Sequence, residues 1–271
     1  MSLNLVAIND VHDLRLAPYR SIKEKDLIGR QNQFIAEGKV VLNVLMESQR
    51  FALQSMLIVE SKLKTLKPLL EHYKPKCPIY FVPQNVMDHV AGFHVHRGIL
   101  GLGEKILATN LSDFLQKVTQ NALLIVLCGI SNHDNMGAIF RNAAAFGANG
   151  IIIDKTSCDP LYRKAIRVSV GAALKVPYTQ GEDIETIVSE LKRLNFEIYA
   201  LSPSASTSLN SINSIQNKAL ILGTEGDGLP QSLLAKVNTL SILMVKDFDS
   251  LNVATATGIA LSHFFNLKAE R

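Results

Sequence analysis

The chain has 271 residues, of which 47% are hydrophobic and 19% charged. That make-up supports a large core and excludes a disordered chain, and the length suits two domains of ordinary size or one large one. No apolar run is long enough to span a bilayer, and the N-terminal stretch from Met1 to Leu16 lacks the basic-then-apolar pattern of a secretory signal. Three scattered cysteines, Cys77, Cys128 and Cys158, suit a reducing, cytoplasmic setting and argue against a disulfide framework or a four-cysteine zinc site.

The net charge of +4 is unevenly spread. Residues 1–120 hold 15 of the 28 Lys and Arg and 11 of the 24 Asp and Glu, which leaves 13 of each sign in the remainder. A neutral reaction domain carrying a mildly basic recognition domain has this distribution. A chance asymmetry of four charges has it too.

In chain order, Phe34 to Leu45 is expected to be a helix and Ser55 to Val59 a short apolar strand. Leucines recur at helical spacing from Leu63 to Tyr73, and Ile79 to Val82 is a second strand followed by Pro83. Gln84 to Val90 reads as a short helix and Gly98 to Leu102 as a last strand, giving an α/β or α+β domain of about one hundred residues. A polar stretch, Glu104 to Gln120, leads to the continuous apolar run Ala122–Cys128, the pattern of a strand buried on both faces of a parallel sheet. Similar runs recur at Gly150–Asp154, Phe196–Ser202, Lys218–Gly223 and Leu240–Val245. Helices are expected between them at Met136–Phe146, Asp183–Leu194 and Leu229–Val237, with a final helix from Leu251 to Ala269. The result is a wound α/β domain over residues 121–271, preceded by a smaller domain over 1–120.

Ligands of open α/β sheets bind beyond the carboxyl ends of the strands, and three loops there are unusually polar or small. In the first, Ser131 to Gly150, Asn135 stands where a helix should begin and is a candidate cap. Arg141 lies four residues after Gly137, on the same face, and a helical side chain leaning toward the N-terminus would reach over that glycine toward Asn135. A surface arginine on an amphipathic helix gives the same spacing. The second loop, Ile221 to Pro230, sets Gly223, Gly226 and Gly228 around Glu225, where glycines admit a close ligand. It is not a phosphate-binding loop of the Gly-Lys-Ser/Thr kind. The third, Asp249 to Leu261, offers Ser250 as a helix cap and Asn252 as an amide able to orient a substrate oxygen. It then runs through small residues from Ala254 to Gly258, which by default serve close packing.

These three segments, in this order, resemble the three motifs of SpoU/TrmH-type RNA 2′-O-ribose methyltransferases of the SPOUT superfamily. Asn135, Gly137 and Arg141 match the first motif, Gly223 to Gly228 the second, and Ser250 to Val253 the third. Phe34–Gly38 and His96–Leu102 resemble the substrate-binding domain often fused ahead of these enzymes. The resemblance implies an α/β fold whose C-terminal, trefoil-knotted parallel-sheet domain follows a smaller α/β substrate-binding domain. It also implies a homodimer, S-adenosylmethionine as methyl donor, and a structured RNA, ribosomal or transfer, as substrate. Cofactor contacts would then fall at Leu201, Gly223, Gly228, Ile242, Leu251 and Ala256, and catalysis on Arg141, Asn135, Glu225, Ser250 and Asn252. Arg141 would act as base or electrostatic organiser, Glu225 would orient it or face the cofactor's charge, and Ser250 and Asn252 would position the ribose. The sequence departs from the family pattern at Leu243, a usual proline, at Asn132-His133, and at Ala254.

Two other readings compete. A binding paralogue that has lost catalysis would not need Asn135, Arg141, Glu225 and Asn252 intact. An ordinary dinucleotide-binding enzyme would carry its glycines after the first strand rather than a late one. The pair His94 and His96, with His89 nearby, has strand spacing suited to a metal but no adjacent acid or cysteine in sequence.

Overall fold

The structure is a computed structural model describing residues 3–22, 32–224, 226, 228–245 and 248–269. The first elements are β1 (Leu5–Ala7), β2 (Gln33–Glu37), α1 (Lys39–Glu47), β3 (Phe51–Val59), α2 (Leu63–Tyr73), β4 (Ile79–Val82), α3 (Gln84–Ala91) and β5 (Ile99–Lys105). Then come α4 (Leu111–Gln116), β6 (Leu123–Leu127), α5 (His133–Ala145), β7 (Gly150–Asp154), α6 (Arg163–Val168), α7 (Ala172–Lys175) and β8 (Tyr178–Glu182). The chain ends with α8 (Ile184–Arg193), β9 (Glu197–Leu201), β10 (Lys218–Leu222), α9 (Gln231–Leu234), β11 (Asn238–Leu240) and α10 (Val253–Ala269).

Two compact units divide these elements. One comprises Met1–Leu107 with Asp159–Lys175, the other Ala108–Cys158 with Val176–Arg271. The first is built on a mixed sheet of order β1-β4-β3-β5-β2, in which β5 runs antiparallel to both neighbours. Strand alternation sends Leu57 and Val59 of β3 to one face, where they meet Met87 and Val90 of α3. Met56 and Ile58 go to the other, where they meet Leu42 of α1 and Leu66 and Leu70 of α2.

The second unit is a six-stranded, wholly parallel sheet of order β11-β9-β10-β6-β7-β8. Every residue of β6 and β10 is buried, and apart from Lys218 at the start of β10 both strands are continuous apolar runs. Leu124, Val126, Ala219 and Ile221 pack under Phe114 and Leu115 of α4 and Ile187 and Leu191 of α8. α5 and α10 lie side by side, and their N-termini start from the same end of the sheet, as the paired contacts below establish.

Several expectations change. The segment Phe34–Leu45 is a strand and a helix, not one helix. Its first part pairs with β5, and Gly38, at φ +92°, turns the chain where a side chain would also meet Arg97 Cδ at 2.9 Å. The polar stretch Glu104–Gln120 contains α4, whose Leu111, Phe114 and Leu115 join the core of the second unit, so residues 108–120 pack there. Residues 159–175, read as part of the second domain, belong to the first unit. The strand expected over Leu240–Val245 lies earlier, as β11, Asn238–Leu240. Beyond Leu240 the chain leaves the sheet edge, and Leu243 and Val245 point into solvent. The helix expected over Leu229–Val237 shrinks to α9.

Arg163 of α6 holds its segment in the first unit through a nearly buried ion pair. Its Nη1 donates to Glu37 Oε2 at 2.5 Å, and its guanidinium lies 4.7 Å from the centre of the Phe93 ring. Removing one partner of such a pair strands the other without water. Arg163→Ala should therefore lower the unfolding free energy by about 3–5 kcal/mol in urea titrations, whereas the double variant Glu37→Leu/Arg163→Met should cost much less.

Candidate active site

Beyond the carboxyl ends of β9, β10 and β11 the chain encloses a cavity of about 420 Å³, within the range of small-molecule sites. Leu201, Ser202 and Pro203 close one side, and Leu222, Gly223, Thr224, Gly226, Gly228 and Leu229 another. Ile242, Met244 and the stretch Asp249–Val253 with Ala256 complete it. All six residues expected to contact a cofactor, Leu201, Gly223, Gly228, Ile242, Leu251 and Ala256, line this one cavity, as do Ser250 and Asn252. Gly223 sits where a Cβ would come within 2.7 Å of Leu229 Cγ, and Gly228 adopts φ +68°. The loop needs glycine at both points, at the first for closeness and at the second for backbone conformation.

Next to the cavity two helix starts are joined. Asn252 Oδ1 accepts from the N–H groups of Ala254 and Thr255 and caps α10, while its Nδ2 donates to Asn135 Oδ1 at 3.0 Å. Asn142, two turns further along α5, donates to the Ala254 carbonyl at 2.8 Å and packs 3.3 Å from where a Cβ on Gly258 would be. The small residues of α10 therefore let α5 approach closely, and the buried Asn135 meets the exposed Asn252 at the mouth of the site.

Two capping expectations are corrected here. Asn132, not Asn135, caps α5, accepting from the Asp134 N–H at 2.8 Å, and the helix starts earlier than its apolar pattern implied. Asn252, not Ser250, caps α10, and Ser250 is an exposed residue of the cavity wall. Arg141 is exposed on α5, and the hydrogen bonds and ion pairs of the described residues do not tie it to Asn135; Asn252 occupies that role instead. Glu225 lies outside the described residues. Sequence reasoning missed Asn142 and Thr224. Asn142 was visible as a polar residue beside Arg141 in a helix of small and apolar residues, and Thr224 bridges to Gly228 across the glycine loop.

Burial, with the Asp154 carboxylate nearby, pushes the thiol of Cys128, just after β6, up to about 11, which favours its protonated form. The histidine pair does have an acid beside it after all. Asp88 Oδ2 lies 2.6 Å from His94 Nδ1, with His96 stacked edge-on, and no group of three metal-binding side chains gathers among the described residues.

The SpoU rRNA Methylase family model matches residues 122–262. The chain belongs to that family. An uncharacterized tRNA/rRNA methyltransferase of Mycobacterium bovis is 33% identical over 95% of this chain and 91% of its own length. A 23S rRNA (guanosine-2′-O-)-methyltransferase of Xanthomonas campestris is 28% identical over 86% of this chain and 96% of its own. The fold matches that of the SpoU methyltransferase AviRb from Streptomyces viridochromogenes, solved in complex with the cofactor AdoMet. The TM-score is 0.84 at 18% identity, covering 96% of this chain and 100% of that one. In this SpoU family member the three motifs named from sequence meet at one end of the parallel sheet.

The double use of Asn252 can be separated by substitution. Asn252→Asp keeps an acceptor for the helix cap but sets an oxygen against the buried Asn135 Oδ1 in place of the donor, so melting temperature should fall although the cap is retained. Asn252→Ala loses both and should lower stability by about 1 kcal/mol, measured by thermal melts.

Proposed function

We propose that this chain transfers a methyl group from S-adenosylmethionine to a ribose 2′-hydroxyl of a structured RNA, ribosomal or transfer. The observation that carries this reading is the cavity itself, walled by the second and third family motifs, with the first joined to it through the Asn135–Asn252 hydrogen bond. Its residues fit the cofactor. Leu222, Leu229, Leu240 and Ile242 would hold the apolar part of the cofactor, the bare Gly223 would admit a close approach, and Asp249 would offer a carboxylate to its positive charge. When bound, S-adenosylmethionine supplies an electrophilic methyl group. The 2′-specific chemistry follows the name of the Xanthomonas relative.

The chain's own part is alignment and proton handling. Asn135 and Asn252 fix each other's carboxamides and so present fixed donors and acceptors to a ribose. Arg141, exposed one turn beyond Gly137, is free to meet a phosphate of the substrate. A guanidinium holds its proton at physiological pH, which favours the organising role over that of base. Glu225 and Ser250 complete the set.

RNA as partner draws on charge. The first unit, taken with residues 159–175, holds 18 Lys and Arg against 11 Asp and Glu, and the second holds 10 against 13. The asymmetry is sharper than a cut at residue 120 reveals, because Arg163, Lys164, Arg167 and Lys175 fall in the first unit. We assign RNA recognition to that unit and cofactor binding to the second, in a protein acting in the cytoplasm. The knot of the resemblance, with the C-terminal stretch threaded through an earlier loop, belongs to the same reading. So does a homodimer, for which α10 exposes Ile259 and Phe265, the latter 6.2 Å from the Phe146 ring.

The test is methyl transfer from tritiated S-adenosylmethionine to unmodified ribosomal and transfer RNA, with the product mapped at 2′-O positions. Arg141→Ala should abolish transfer and leave S-adenosylmethionine affinity, read by calorimetry, nearly unchanged. Arg141→Lys should rescue poorly, since an ammonium lacks the planar fork of donors. Gly223→Ala should do the opposite and lower cofactor affinity first. Wild-type protein that binds no S-adenosylmethionine at millimolar concentration would overturn the reading.

A further inference from the structure

One buried carboxylate outside the three motifs organises the loop that carries the first of them. Asp154 ends β7 and is 5% exposed. Its Oδ1 accepts from the Gly129 N–H at 3.1 Å, the Ser157 N–H at 2.9 Å and the Ser157 hydroxyl at 2.6 Å, and its Oδ2 accepts from the Thr156 hydroxyl at 2.5 Å. Ser157 relays the contact, because its Oγ accepts from the Ile130 N–H at 2.9 Å. The Cys158 N–H then donates to the Ile130 carbonyl at 2.8 Å. Gly129 and Ile130, in the loop after β6, are thus held by three hydrogen bonds, one from Asp154 at the end of β7 and two from the loop that follows it.

What this loop does next gives the arrangement its meaning. Two residues beyond Ile130 stands Asn132, the cap of α5, and one helical turn later comes Asn135. Gly129 itself is at φ +72°, and a Cβ there would stand 3.0 Å from Thr224 Cγ2. The held segment therefore also abuts the glycine loop that walls the cavity. Charge-assisted hydrogen bonds to a carboxylate are stronger than neutral ones, and a buried carboxylate with four donors is a rigid anchor.

We infer that Asp154, acting through Ser157, is a positioning residue for the methyl transfer: it fixes the Gly129–Asn132 loop and thereby the placing of Asn135 and Thr224 at the site. The inference rests on the functional reading above for its catalytic consequence, and on the hydrogen-bond geometry for its structural one. Asp154 does not line the cavity. Its loss should misalign the reacting groups more than it weakens the binding of either substrate.

The experiment compares full-length wild type, Asp154→Ala, Asp154→Asn and Ser157→Ala. Steady-state transfer to RNA is combined with amide hydrogen exchange read by mass spectrometry. Asp154→Ala should reduce kcat roughly tenfold or more, with KM for RNA and S-adenosylmethionine affinity nearly unchanged. Exchange should speed up in residues 129–135 and not in α8. Asp154→Asn, which keeps one acceptor oxygen, should recover part of the rate. If Asp154→Ala does not fold, Ser157→Ala removes the hydroxyl that donates to Asp154 and accepts from Ile130, leaves the contacts of Asp154 with Gly129, Thr156 and the Ser157 N–H, and should show the same pattern more weakly. Exchange unchanged at 129–135, or variants with normal kcat beside an active wild type, would overturn the positioning role alone. A wild type inactive on every RNA would instead overturn the functional reading, and the catalytic role with it.

Discussion

The carboxamide of Asn252 joins the two halves of the site. One end of it caps α10 and the other holds Asn135 of α5, so the position of each helix start depends on the other. The two helices can be that close only because α10 opens with Ala254 and passes through Gly258 at the point where Asn142 crosses it. Close packing, rather than helix propensity, explains the small residues of this segment. A glycine in a helix interior costs about 0.5–1 kcal/mol relative to alanine, and here it makes room for a polar contact.

The parallel sheet dictates where such polar groups occur. Its central strands β6 and β10 are buried along their whole length, so hydrogen-bonding side chains cluster at the strand ends. The cavity, the glycine loop, the two asparagines and the Asp154 anchor all lie there. Electrostatics is divided between units rather than along the chain, with the basic excess in one and a slight acidic excess in the other.

Much of this was legible in sequence, for identifiable reasons. Strands such as Leu123–Leu127 and Gly150–Asp154 announce themselves because burial on both faces makes them apolar up to the strand end, where Asp154 stands. Helix α2 was legible from its leucine spacing. The glycine loop and the small-residue helix were legible as chemistry, and every expected cofactor position lies on one cavity. The misses have physical causes as well. Phe34–Glu37 looks helical until it is paired with β5, because an apolar run of that length has no period of its own. Both cap positions were misplaced, since Asn, Asp and Ser stand at neighbouring positions at each helix start and only geometry chooses among them. Asp154 was invisible as an anchor because its partners are two backbone amides and two hydroxyls, none of which leaves a sequence signature.

The excursion of residues 159–175 has a consequence for synthesis. The first unit is complete only when Lys175 has emerged, and by then β6 and β7 are already outside the ribosome, with β6 lacking its neighbour β10. At about 5–20 residues per second, the 47 residues from Lys175 to Leu222 take roughly 2–9 s to follow. During that interval the β10-facing edge of β6, Leu123–Leu127, is an unpaired apolar strand, the kind of edge that recruits other chains. The nascent protein thus passes through a window of aggregation risk set by the order of its strands, and codon tempo between residues 175 and 222 becomes a determinant of its yield.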